Sequence, residues 1–188
     1  MKKIAVLGIG KGGDLAALLL HGSGFEVTGF DRRTPRRERA YPIGQMDVSD
    51  VAAVEKGLAG FDAVLSCLPY SLNIGVADAA VAAGIHYFDL TEDVPTTRHI
   101  IDLSASSPGL MAPQCGLAPG FVGIVGASQI GRFDTCRSVR MRVGALPQNP
   151  TGLMGYSFNW SPEGVVNEYL NDCEVLEGGE IKHISAME

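Results

Sequence analysis

Lys2-Lys3-Ile4-Ala5-Val6-Leu7-Gly8-Ile9-Gly10-Lys11-Gly12-Gly13-Asp14-Leu15 decides how this chain folds. Ile4 to Leu7 is a short apolar run, the pattern of a strand buried on both faces of a parallel sheet. Gly8, Gly10 and Gly13 follow with the spacing G-x-G-x-x-G, and Asp14 to Leu20 continues as a helix ending in His21-Gly22. In a dinucleotide site, one such glycine allows the tight turn out of the strand. One lets a pyrophosphate approach the backbone, and one lets the helix pack closely on the strand. The N–H groups of the helix start then face the pyrophosphate, with the helix dipole behind them.

The residues outward from this turn strengthen the reading. Phe25 to Phe30 is a second strand leading to Asp31, 18 positions after Gly13. A dinucleotide site places an acid about 20 residues on, where it binds the adenosine ribose hydroxyls. Strand, glycine turn, helix, strand and acid in this order predict a Rossmann unit. Gly8, Gly10, Lys11, Gly12 and Gly13 are then the pyrophosphate contacts and Asp31 the ribose contact. The competing reading is a flavodoxin-like sheet with an accidental glycine turn. Asp31 favours NAD, because a carboxylate repels a 2′-phosphate. Arg32 and Arg33 follow at once and are placed to hold that phosphate, which keeps NADP open. The expected cofactor is NAD, with NADP as the alternative. The basic run 32–37 also suits a solvated turn.

Composition narrows the class. A chain of 188 residues with 46% apolar residues is globular, long enough for one domain and part of a second. The formal charge of −6 argues against nonspecific nucleic-acid binding. No apolar stretch reaches membrane-spanning length, and the start runs straight into a strand and not into a signal peptide. Cys67, Cys115, Cys136 and Cys173 show no C-x-x-C pairing, so they read as reduced thiols, with neither a metal site nor a disulfide frame. The expected location is the cytoplasm.

The rest of the chain supplies the other ends of the sheet. Met46-Asp47-Val48 follows a third strand, close to the adenine end of the crevice. Asp47 and Val48 are therefore candidate cofactor contacts, with a turn aspartate the alternative. Ser49 or Asp50 is placed to cap a helix over Val51–Leu58. Phe61 to Tyr70 holds the fourth strand and its exit, where Cys67, Leu68 and Pro69 would line the nicotinamide ribose. For Cys67 the alternative is a small buried apolar residue. A helix over Leu72–Ala83 closes at Gly84. His86 to Asp93 is a fifth strand ending in a polar cluster. Its carboxylates and Thr91 would bind an ammonium, or cap the helix that begins at Val94-Pro95. His86 reads as structural. Pro108 to Cys115 is a sixth strand, leaving through Gly116 to Gly120 into a helix over Phe121–Ile130.

After Phe133 the pattern changes to alternation. Val139, Met141 and Val143 share one face of an expected strand over Arg137–Val143, and Tyr156 to Trp160 alternates too. Ser161-Pro162-Glu163 is a strong helix start. Val175 to Ile181 reads as a hairpin around Gly178-Gly179. The fold class is α/β: a doubly wound parallel Rossmann sheet over 1–120, then the start of an α+β substrate or dimerisation domain over 121–188. The abrupt end at Glu188 suggests a fragment.

Several motifs together resemble the saccharopine dehydrogenase family, most closely its lysine ε-dehydrogenase (L-lysine 6-dehydrogenase) branch. They are Gly8 to Gly13, Leu65-Ser66-Cys67-Leu68-Pro69-Tyr70, Ala83 to Leu90, Cys115 to Gly120, Gly144 to Pro150, and Gly155 to Gly164. The resemblance implies a homodimeric NAD(P)-dependent oxidoreductase acting on an amino-acid carbon–nitrogen bond. Family members are longer than this chain, which agrees with a fragment. Saccharopine-forming members tend to carry an aspartate where this chain has Ala118, so oxidative deamination of lysine is the leading expectation. Saccharopine or carboxynorspermidine chemistry is the alternative, and a non-catalytic NAD(H)-binding regulatory module is the alternative of another class. No residue stands out as the catalytic base. Asp89 and Glu92 are candidates to hold the ammonium. Tyr70, Thr91 and Cys115 are candidates to line the substrate pocket, with Gly116 at its edge.

Overall fold

A computed structural model describes residues 2–33, 38–144, 147–153, 155 and 161–186. Strands β1 (Lys3–Leu7), β2 (Glu26–Asp31), β3 (Ile43–Gln45), β4 (Ala63–Ser66), β5 (His86–Asp89) and β6 (Met111–Ala112) form one sheet in the order β3-β2-β1-β4-β5-β6. All five pairings are parallel. Parallel neighbours require crossovers: α1 (Lys11–Gly22) joins β1 to β2, α3 (Asn73–Ala83) joins β4 to β5 and α4 (Val94–Ser104) joins β5 to β6, while α2 (Val51–Leu58) carries the chain from β3 to β4.

The apolar run of β1 dictates two cores. Alternate residues face opposite sides. Ala5 and Leu7 pack with Val54 and Leu58 of α2, Val76 and Ala80 of α3, and Ile100 of α4. Ile4 and Val6 pack with Ala17 of α1, Val27 and Tyr41. The chain therefore changes sides between β1 and β4. That reversal opens a crevice at the carboxyl ends of these two strands, where doubly wound sheets bind ligands.

Caps follow the local sequence. Asp50, not Ser49, caps α2, accepting from Ala53 N at 3.2 Å. Asp93 caps α4, Gly84 ends α3 at φ 68°, and Ser161 caps α6 (Pro162–Glu168). The hairpin β7 (Cys173–Glu177) and β8 (Glu180–Ile184) turns at Gly178 and Gly179, both at positive φ. Helix α5 covers Phe121–Ile130, as the sequence predicts.

Two expectations change. The sixth strand shrinks to two residues, because Pro113 removes a donor and Gln114 turns left-handed at φ 61°. Residues Arg137–Val143 form no strand: no described residue pairs with them, and Val139, Met141 and Val143 stay exposed. Alternation marks two faces but supplies no partner strand. The expected alternating stretch Tyr156 to Trp160 lies outside the described residues.

Candidate dinucleotide and substrate site

The glycine turn is built as the spacing requires. Gly8 leaves β1 at φ 87°, and a Cβ there would meet Leu68 Cδ2 at 2.9 Å and the Cys67 carbonyl oxygen at 3.0 Å. A Cβ on Gly13 would overlap the Gly8 carbonyl oxygen, so this glycine lets α1 lie against β1. Gly10 and Gly12 are different: a Cβ on either would meet nothing within 4 Å. Their surface, with exposed Lys11 and the free N–H groups of the first helical turn, fits a pyrophosphate.

Asp31 sits at the end of β2, beside this turn. Its Oδ2 accepts from Ile9 N at 2.9 Å and its Oδ1 from Arg33 N at 3.0 Å. Part of its accepting capacity therefore orders the turn itself. Next to it lies a cavity of about 350 Å3, lined by Gly8, Asp31, Arg32, Asp47, Val48 and Leu68 among others. The expected adenosine contacts thus converge on one cavity. Ser49, which the sequence reading treated only as a cap, lines it too. Asp47 Oδ1 accepts from Ser49 N at 3.0 Å and Ser49 Oγ at 2.6 Å. Those bonds, with Arg32 adding a weaker pull, hold its pKa below the usual carboxylate range.

A clamp unseen in the sequence supports this side. Asp14, directly after the glycine turn, accepts from Tyr41 Oη at 2.5 Å and Arg39 Nε at 2.7 Å. It ties α1 to the connection between β2 and β3. Tyr41 is buried, and burial with the Asp14 contact pushes its phenol up to about 12.

On the other side of the crevice, Cys67 N donates to Leu7 O at 2.8 Å. Burial, with the Asp89 charge, pushes the Cys67 thiol up to about 12, so it is a neutral packing group. Leu68 and Pro69, expected at the nicotinamide ribose, line the same cavity as Asp31 and Arg32. Tyr70 opens a short 3₁₀ turn and lines a separate cavity of about 350 Å3 with Pro162, Glu163, Val166, Asn167 and Leu170 of the second segment.

The polar cluster after β5 divides by role. Asp89 has no exposed surface. Its Oδ1 accepts from Thr91 N and Gln114 N, both at 3.0 Å, and its Oδ2 from Tyr87 Oη at 2.8 Å. The ammonium contact expected of it is closed off, because all its surface is enclosed by the chain. Thr91 is buried too, and its hydroxyl accepts from Asp93 N at 3.1 Å. Glu92 is half-buried, beside Gly164 at the start of α6. Burial first, then the charges of Asp93 and Asp89, push its pKa up. Cys115 is half-buried, with its sulfur near Ala112 O at 3.4 Å. Gly116 begins a tight loop in which Phe121 N donates to Gly116 O at 2.8 Å.

Comparison with known proteins finds two domains of one family in the chain. Residues 4–109 match the model of the saccharopine dehydrogenase NADP binding domain, and residues 116–188 that of the saccharopine dehydrogenase C-terminal domain. The NADP(+), L-glutamate-forming saccharopine dehydrogenase of Schizosaccharomyces pombe is 25% identical over 145 residues, covering 74% of this chain and 32% of that protein. The mitochondrial alpha-aminoadipic semialdehyde synthase of Rattus norvegicus is 26% identical over 98% of this chain and 21% of its own length. The chain thus spans a third or less of these relatives. Apo saccharopine dehydrogenase (L-Glu forming) from Saccharomyces cerevisiae shares the fold with a TM-score of 0.61 at 22% identity, over 99% of this chain and 44% of that one. By the match over its parallel sheet and on through its second segment, the chain belongs to the saccharopine dehydrogenase family.

Proposed function

We propose that this chain carries the cofactor-binding part of an NADP-dependent oxidoreductase that oxidises a carbon–nitrogen bond of an amino acid, with the ε-amine of lysine as the first choice of substrate. The observation that carries the reading is the open surface over Gly10 and Gly12, leading into the cavity flanked by Asp31 and Arg32. NADP replaces the NAD preference suggested by Asp31. The Asp31 carboxylate already serves two backbone N–H groups, Arg32 lines the cavity, and the matched domain is described as NADP binding. A guanidinium suits a 2′-phosphate.

When bound, the oxidised nicotinamide supplies the hydride acceptor. The chain orients it and handles the proton. Glu92, half-buried at the carboxyl edge, is the group we assign to accept the ammonium proton. The Tyr70 cavity supports an alkylammonium: its charged lining residue is Glu163, and no described lining residue is a cation. Saccharopine, with three carboxylates, would find no counter-charge among these lining residues. Saccharopine stays as the second reading, supported by the relatives' printed names. A cytoplasmic homodimer goes with this proposal. All four cysteines are free thiols, and Phe121 and Ile124 of α5 leave an apolar face to be covered.

Titration of the chain with NADPH and NADH, followed by fluorescence, tests the cofactor; tighter NADPH binding is expected. Reduction of NADP(+) is then measured with lysine and with saccharopine. Binding of neither nucleotide would remove the proposal, and turnover of saccharopine alone would replace lysine.

A further inference from the structure

Gln114 is the one non-glycine residue at positive φ among the described residues, at 61°. Glutamine is a poor choice there, since its Cβ crowds the backbone. The surroundings must therefore impose the conformation. Asp89 does so from the neighbouring strand. Its Oδ1 accepts from Gln114 N at 3.0 Å, and its main-chain oxygen accepts from Cys115 N at 2.7 Å. The turn then closes on itself. Gly116 and Gly120 form a bridge, and a Cβ on Gly120 would meet the Gln114 carbonyl oxygen at 2.7 Å. Phe121 N, opening α5, donates back to Gly116 O.

We infer that Asp89 is a positioning residue: its buried carboxyl latches Gln114 in the left-handed conformation and so fixes the loop Gln114–Gly120 at the carboxyl edge of the sheet. Its place in the reaction rests on the function proposed above; the latch itself does not. One side chain joins two segments here. Tyr87 Oη and Thr91 N belong to β5 and its exit, and Gln114 N to the exit of β6. The role needs acceptors, not charge. An asparagine keeps its Oδ1 for both backbone donors. Its amide then donates to Tyr87 Oη, whose own proton turns to the Asn73 carbonyl, already within 3.4 Å. An alanine removes the acceptor from the half-buried Gln114 N and the buried Thr91 N.

The test is amide exchange at Gln114, Cys115 and Gly116 in the full chain, without nucleotide, for Asp89→Asn and Asp89→Ala. Asn should exchange at the wild-type rate. Ala should exchange about tenfold faster at those three amides, with β1 and β2 unchanged. Adding Gln114→Gly to the Ala variant should recover part of the protection, since glycine takes the left-handed conformation freely. NADPH affinity should follow the same order, within about twofold for Asn and weaker by about tenfold for Ala. Exchange in Asn as fast as expected for Ala, or unchanged exchange in a folded Ala variant, overturns the latch. If Ala does not fold, Asn alone decides: wild-type exchange supports the latch and fast exchange removes it. Intact exchange behaviour with no nucleotide binding would sink the proposed function and leave the latch standing.

Discussion

Asn167 Nδ2 donates to Asp93 Oδ1 at 2.9 Å, joining residues 74 positions apart. The other oxygen of Asp93 caps α4, accepting from Thr96 N at 2.9 Å and Thr96 Oγ1 at 2.6 Å. One buried carboxylate thus serves a helix start in the sheet domain and a side chain of α6. Asp93→Ala should lower stability by about 2 kcal/mol, because it removes a cap and strands the Asn167 amide. Asn167→Ala should lower it by about 1 kcal/mol. The double variant should fall short of the sum by ~0.5 kcal/mol or more, since the two share one bond. Urea unfolding of the four proteins measures this. Strict additivity would mean that the contact contributes nothing.

The glycine turn separates packing from binding. At Gly13 a methyl group has no room: it would overlap the Gly8 carbonyl oxygen and lie 3.2 Å from Cys67 Cβ. Gly13→Ala should lower stability by about 3 kcal/mol through overpacking. At Gly10 a methyl group projects into open space, so Gly10→Ala should melt within a few degrees of wild type. It should nonetheless weaken NADPH binding by about tenfold, because the methyl occupies the expected path of the pyrophosphate. Thermal melts and nucleotide titrations on both variants decide the point. Wild-type nucleotide affinity in Gly10→Ala would place the phosphates elsewhere.

Arg32 and Asp31 line one cavity, where a guanidinium should favour a 2′-phosphate and a carboxylate should repel it. Arg32→Ala should reduce NADPH affinity by about tenfold, as expected for one charge-assisted contact to a phosphate, and leave NADH within about twofold. Asp31→Asn keeps one oxygen but turns the other into an amide, which faces either Ile9 N or Arg33 N. It should loosen the turn and weaken both nucleotides. Parallel losses in Arg32→Ala would show that Arg32 does not discriminate between them.

The legible part of this fold was the part governed by local rules. The run Ile4–Leu7, the three glycines and Asp31 specify a strand, a turn and a crevice with little help from distant residues. Capping at Ser161 and the Gly178-Gly179 turn are equally local. What escaped depends on partners. Alternation over Arg137–Val143 looks like a strand, yet a strand needs a neighbour to accept its ladder bonds. Asp89 looks like a free carboxylate at a strand exit. Whether it faces inward is decided by Tyr87 and Gln114, and the second lies 25 positions away. Gln114 carries no signal at all, since left-handed turns normally announce themselves through Gly, Asn or Asp. The clamp of Asp14 by Tyr41 and Arg39 is likewise a long-range pairing of ordinary residues.

The pH dependence of stability tests the state of Asp89 directly. Burial raises its pKa above the ordinary aspartate value, against the three hydrogen bonds that favour the carboxylate. The folded chain then binds the proton more tightly than the unfolded chain. Its contribution is full below the unfolded value of about 4 and is lost as pH rises through the raised folded value. Glu92 shifts the same way, while Asp14, Asp47, Asp62 and Asp93 shift the opposite way, so the whole-protein curve mixes both signs. Subtracting the curve of Asp89→Asn isolates one group. The wild type should lose stability relative to that variant above pH ~4, with a slope approaching ~1.4 kcal/mol per pH unit, and the difference should level off at higher pH. Tyr87→Phe removes one bond to the carboxylate and should extend the window upward. Denaturant unfolding from pH 4 to 8 measures the difference, and parallel curves would mean that Asp89 ionises in the fold as it does in the open chain.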